Sequence, residues 1–189
     1  LAIGDTGTVL VWSNYEKSTV NGIRGQLELR GLLTEDTKTW IDEFEKRIVD
    51  LRVLSQINYC HPKMIGSHSI KKVLDAVWAT APHLWSDPWF AKYYQLIDDG
   101  QPLDPYQTLL IPDLDLAKQL DETDDSDVDG VTDGVGAMRA YQDMLYGLNR
   151  DNLEVRDAMK DALLRYCELD TAAMVMIWKH WQHQLQGSQ

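Results

Sequence analysis

The sequence is poor in cysteine and in phenylalanine, with two residues of each among 189, and poor in positive charge, with 18 Lys and Arg against 30 Asp and Glu. Cys60 and Cys167 belong to no CxxC pair, which excludes a disulfide framework and gives no zinc-ribbon or dithiol redox motif. Both are expected to be reduced and structural. The net charge of -12 works against broad polyanion binding, because a carboxylate-rich surface repels a phosphate backbone. No apolar run approaches the roughly 18 residues of a membrane span, and LAIGDTGTVLVW has no basic region ahead of its short apolar stretch, so neither a span nor a signal peptide is expected. A soluble, cytoplasmic chain without membrane contact follows as the expectation. Also missing are GxSxG, a glycine-rich phosphate loop, HExxH and any internal repeat, which removes the commonest signatures of acyl-transfer, nucleotide-binding and zinc-protease chemistry.

What is present suffices for one proper core: 44% of the residues are hydrophobic, and residues 1–189 read as a single domain. Thr8 to Trp12 (TVLVW) is a buried strand by composition, ending in the polar cluster Ser13, Asn14, Tyr15, Glu16. Glu16 then falls near the strand's C-terminal end, the edge where open α/β sheets bind ligands. Helices are expected over Lys17 to Leu29 and Thr37 to Arg47, a second strand over Ile48 to Leu54 with Asp50 in it or at its end, and a helix over Ile70 to Ala79. Between Pro82 and Asp133 periodicity fades amid five prolines, which predicts an irregular, acidic excursion. A helix from Gly136 to Leu148 and a long final helix capped by Asp151 or Asn152 complete the reading.

The most informative stretch is LLRYCELDTAAM, Leu163 to Met174. At 3.6 residues per turn, Met159, Leu163, Tyr166, Ala173, Met174, Ile177 and Trp181 share one apolar stripe, and Asp170 falls near its centre. A carboxylate there needs a cation, a metal ion or a dense set of donors, since burying it unpaired costs several kcal/mol or more, roughly. Tyr166 lies one turn earlier on the same face. Tyr94 and Asp98 repeat the spacing, but beside Asp99 and Gly100 they read as a turn with a solvated acid.

A second local feature is the acid-free window Leu51 to Leu74, holding Arg52, His61, Lys63, His68, Lys71 and Lys72. It is either a solvated helix face with its preceding loop or a phosphate-contacting surface. Asp125, Asp127, Asp129, Gly130 and Asp133 follow the opening of an EF-hand loop, but Gly136 stands where the bidentate glutamate belongs, so a solvated acidic loop is expected. His180 and His183 have no further ligands nearby in sequence and are expected to be exposed.

Taken in order, VWSNYEK (11–17), RIVDLRVL (47–54), HPKMIGSHSIKKVL (61–74), DPYQTLLIP (104–112), DGVGAMRAYQDM (133–144) and LLRYCELDTAAMV (163–175) resemble a bacterial family labelled domain of unknown function 2779. That family resembles the ribonuclease H-like 3′-5′ exonucleases of the DEDD group and accompanies RecB-like or Cas4-like nuclease modules. The resemblance implies a partial, helix-rich ribonuclease H-like α/β fold and two-metal phosphodiester hydrolysis with Mg²⁺ or Mn²⁺ on single-stranded DNA or RNA. It assigns Asp170 to metal and Tyr166 to the attacking water, with Glu16 and Asp50 as the further carboxylates of one cluster, and Asn14, Lys63, His68, Ser69, Lys71 and Lys72 to the nucleic acid. The opening Asp-x-Glu motif of that group is not found upstream of VLVWSNYE, and Asp113 with Asp115, a DxD, stands in the wrong order to replace it. This chain by itself is therefore expected to be inactive or nearly so. A strand edge left unpaired would favour self-association. A non-catalytic nucleic-acid-binding or protein-docking module on the same fold is the alternative.

Overall fold

In the computed structural model, residues 4, 6–109, 141–142, 145–147 and 150–187 are described. The EF-hand-like loop, the Asp113/Asp115 pair and most of the helix expected over 136–148 lie outside them. The chain divides into two compact units, Leu1–Cys60 and His61–Gln189.

In the first unit, strand β1 (Val9–Val11) is followed by helices α1 (Tyr15–Leu29) and α2 (Glu35–Lys46), strand β2 (Ile48–Asp50) and helix α3 (Leu51–Asn58). The strands pair in parallel, with Val9 opposite Ile48 and Val11 opposite Asp50, a pairing that needs a long crossover, here the two helices. Gly31, at φ +65, ends α1: Gly31 N–H donates to Glu28 O and Leu32 N–H to Leu27 O at 3.0 and 2.8 Å, a left-handed cap that favours glycine. Thr34 opens α2, its hydroxyl accepting from Thr37 N at 3.2 Å. Val11, Ile41, Phe44 and Leu51 are buried.

The strand expected over Ile48 to Leu54 is corrected. It stops at Asp50, whose carboxylate accepts from Arg52 N at 2.8 Å and Val53 N at 3.4 Å. An aspartate inside an apolar run acted as a helix N-cap, and the following residues bury Leu51 and Ser55 one turn apart.

The second unit is built on α4 (Ile70–Trp78) and a 35-residue final helix α6 (Leu153–Gly187), with the short helix α5 (Pro82–Trp85) and single 3-10 turns at Pro62–Met64, Ala91–Tyr93 and Pro105–Leu109. Ser69 caps α4, accepting from Lys72 N at 3.3 Å. The α4 residues Val73, Leu74, Ala76, Val77 and Trp78 are buried, as are Met159, Tyr166, Leu169, Ala173, Met176 and Ile177 of α6. The buried stripe of α6 therefore runs through Leu169 and Met176. Asp170 lies at its margin, half-buried, and not at its centre. Met174 and Trp181 are only half-buried, because a straight helix of this length turns away from a stripe drawn with their spacing.

Among the described residues the chain is thus mixed α/β, mostly helical, with a two-stranded parallel sheet. No helix among them is long and apolar enough to cross a membrane.

Candidate functional site

Two groups of acids stand out, one in each unit. In the first, the parallel strands deliver their C-terminal ends side by side. Ser13, just past β1, takes φ +105, a conformation sparsely populated by residues with a Cβ. That turn aims its N–H at Asp50, which accepts it at 3.2 Å through Oδ1. With Arg52 N and Val53 N this makes three backbone donors on one oxygen.

Glu16 sits in the first turn of α1, where the helix dipole favours an acid. It is half-buried, and its Oε2 is buried with no hydrogen-bond partner. Loss of water raises its carboxyl above the usual range; its own backbone N–H offsets part of this, and the nearby charge of Asp50 adds to it. The two acids expected to work together thus feel each other electrostatically. Asn14 is exposed, its amide donating to Ser18 Oγ at 3.4 Å.

In the second unit the Tyr106 hydroxyl donates to Asp170 Oδ1 at 2.6 Å, a short, charge-assisted bond. Burial, followed by the charge and hydrogen bond of Asp170, pushes the Tyr106 phenol well above its ordinary value, so it stays a donor. Tyr166 is buried, its ring centroid 6.1 Å from that of Tyr106 and tilted by 54°. The ammonium of Lys71, only 9% exposed, lies 5.7 and 5.8 Å from the two ring centroids. A buried cation over two electron-rich faces, one of whose hydroxyls is bonded to a carboxylate, forms a compact charge-balanced cluster.

The remaining members of the basic window are spread along one stretch. Lys63 is exposed and pairs with Asp75 at 3.2 Å; His68, Ser69 and Lys72 are half-buried. Glu16 and Asp50 belong to the first unit and Asp170 to the second.

Tyr106 was not legible as a site residue. The signal lay in DPYQTLLIP, where Asp104 accepts from Tyr106 N at 3.0 Å and starts the 3-10 turn that aims the phenol. His180, expected to be exposed, is 3% exposed. Its ring stacks on His83 of α5 at 5.6 Å, because α5 covers this part of α6.

Among the described residues no three His, Cys, Asp or Glu side chains converge as a metal site. A magnesium-like ion does not need three, since it is commonly held by one or two carboxylates with waters and substrate phosphates. Glu16 and Asp50 supply that minimal set, and the buried, unpartnered oxygen of Glu16 is the atom a hard cation would satisfy.

A chain of mixed α/β type with acids at the carboxyl ends of parallel strands is the class so defined. Residues 1–69 match the profile of a family described as Domain of unknown function (DUF2779), which supports the resemblance over that part of the chain. No curated protein and no solved structure matches the sequence.

Proposed function

We propose that these residues belong to a ribonuclease H-like, metal-dependent 3′-5′ exonuclease domain that hydrolyses phosphodiester bonds of single-stranded DNA or RNA in the cytoplasm. The observation that carries the reading is Glu16: a desolvated carboxylate with an unpartnered buried oxygen, beside Asp50, at the carboxyl ends of two parallel strands. Leaving an acid in that state is unfavourable unless a ligand relieves it. Glu16 and Asp50 are the carboxylates for Mg²⁺ or Mn²⁺ in the first unit, and the resemblance assigns Asp170, in the second, to metal as well. When bound, two such ions stabilise the attacking and leaving oxygens of an in-line displacement.

The chain's own residues do the rest. Asp50 is held rigid by three backbone N–H groups, and Asp170 has one oxygen fixed by Tyr106. Tyr166, neutral at pH 7, can orient a water without adding charge. Asn14, Lys63, His68, Ser69, Lys71 and Lys72 are assigned to the nucleic acid. A RecB-like or Cas4-like module in the same chain or complex, and self-association, are the partners this reading carries.

A second reading is supported by a specific observation. The Lys71, Tyr106, Tyr166 and Asp170 cluster is balanced from within, as in a non-catalytic module that binds nucleic acid or docks a protein.

Calorimetric titration with Mn²⁺ separates the two. The catalytic reading expects binding that Glu16→Gln weakens by at least about tenfold, or about 1.4 kcal/mol. Equal affinity in the two proteins, or no binding by either, would favour the non-catalytic module.

A further inference from the structure

Four of the chain's five histidines meet in the second unit. His83 comes from α5, His180 and His183 from α6, and His61 from the start of the 3-10 turn at Pro62–Met64. The His83 and His183 rings are parallel within 6° at 4.0 Å, and His83 and His180 within 9° at 5.6 Å. His180 is buried, and the Nε2 of His83 is buried with no hydrogen-bond partner. Three histidines, His83, His183 and His61, act on His180, and His183 acts on His83. On the adjoining turn of α6, Lys179 bonds Asp87 at 2.6 Å.

We propose that the His83, His180 and His183 stack is a proton-released clasp: while neutral it holds the segment 82–94 on the final helix, and protonation of its rings opens that segment. Face-to-face imidazoles at this separation are tolerable uncharged, whereas two cations so close repel strongly. Burial lowers His180 to about 4, and burial together with His183 lowers His83. The closed state therefore binds fewer protons than the open one, and opening becomes easier as pH falls below the ordinary histidine value of about 6.5. The other ties of the segment to α6 do not supply this dependence. Lys179 holds the Asp87 carboxyl below its usual range, so that pair stays charged, and Lys92 pairs with Glu168.

Native-state hydrogen exchange reads the opening directly. Asp87, Phe90, Ala91 and Tyr93 donate backbone hydrogen bonds within the segment and serve as probes, with the amides of α4 as reference. After correction for intrinsic exchange, the opening constant of the probes should rise by about tenfold or more between pH 7 and 5 and stay well above that of α4 throughout. His83→Phe keeps a flat ring without a proton and should reduce the rise to less than about threefold. His183→Gln, at an exposed position, should shrink it by at least about threefold and serves should the first variant not fold. No rise in the unsubstituted protein, an undiminished rise in a folded variant, or probe opening no more frequent than that of α4 would each overturn the clasp.

Discussion

Asp170→Ala should cost about 1–3 kcal/mol of stability, read as a lower urea midpoint at unchanged slope. The substitution removes a negative charge from a cluster that also buries the ammonium of Lys71. It also leaves the Tyr106 hydroxyl without the acceptor it has at 2.6 Å. A hydroxyl left without its acceptor in this half-buried position costs about 1–3 kcal/mol. Asp170→Asn keeps an oxygen for Tyr106 and should recover part of the loss. In Asp170→Ala the phenol of Tyr106 should also ionise closer to its ordinary value, since two of the causes that raise it disappear and burial remains. A cost below about 1 kcal/mol would mean that Asp170 does not balance this cluster.

Acid should destabilise the second unit over a defined window. The folded-state value of His180 is about 4, below the unfolded value of about 6.5, so the native state excludes a proton that the unfolded state accepts. Its contribution is full above pH 6.5 and is lost as pH falls towards 4, by about 3 kcal/mol in all. His83, lowered as well, acts in the same direction. In the first unit, Glu16 acts in the opposite direction: its raised carboxyl favours the protonated folded state, so its contribution is lost as pH rises through its value. Denaturant melts at pH 7 and pH 4.5 should therefore differ, and His180→Gln should flatten that difference. A slope unchanged in this variant would assign the acid sensitivity to the carboxylates.

Much of the order of elements was written in local pattern. The apolar run before Ser13, the start signal Thr34 and the long stripe after Asn152 each mark elements that form, because periodicity and caps act within one or two turns. Asp50 shows where pattern misleads. The run IVDLRVL is β-branched enough to read as one strand, yet the carboxylate inside it ends the strand and begins a helix. At the candidate site, Asp170 announces itself as an acid bordering an apolar face, but its partner Tyr106 is 64 residues away, and no local rule links the two. His180 was misjudged for the same reason, since what covers it is α5, almost a hundred residues earlier in the chain.

The account's central claim is best tested by following loss of label from 3′-labelled single-stranded DNA and RNA in Mn²⁺, using the longest native reading frame that contains these residues. Asp170→Asn and Glu16→Gln are assayed beside it at a temperature where all three are folded. The account predicts Mn²⁺-dependent degradation that falls by at least about 100-fold in each variant, as for groups that hold the catalytic ions. Intact label with the unsubstituted protein, or degradation that survives both substitutions, would contradict it.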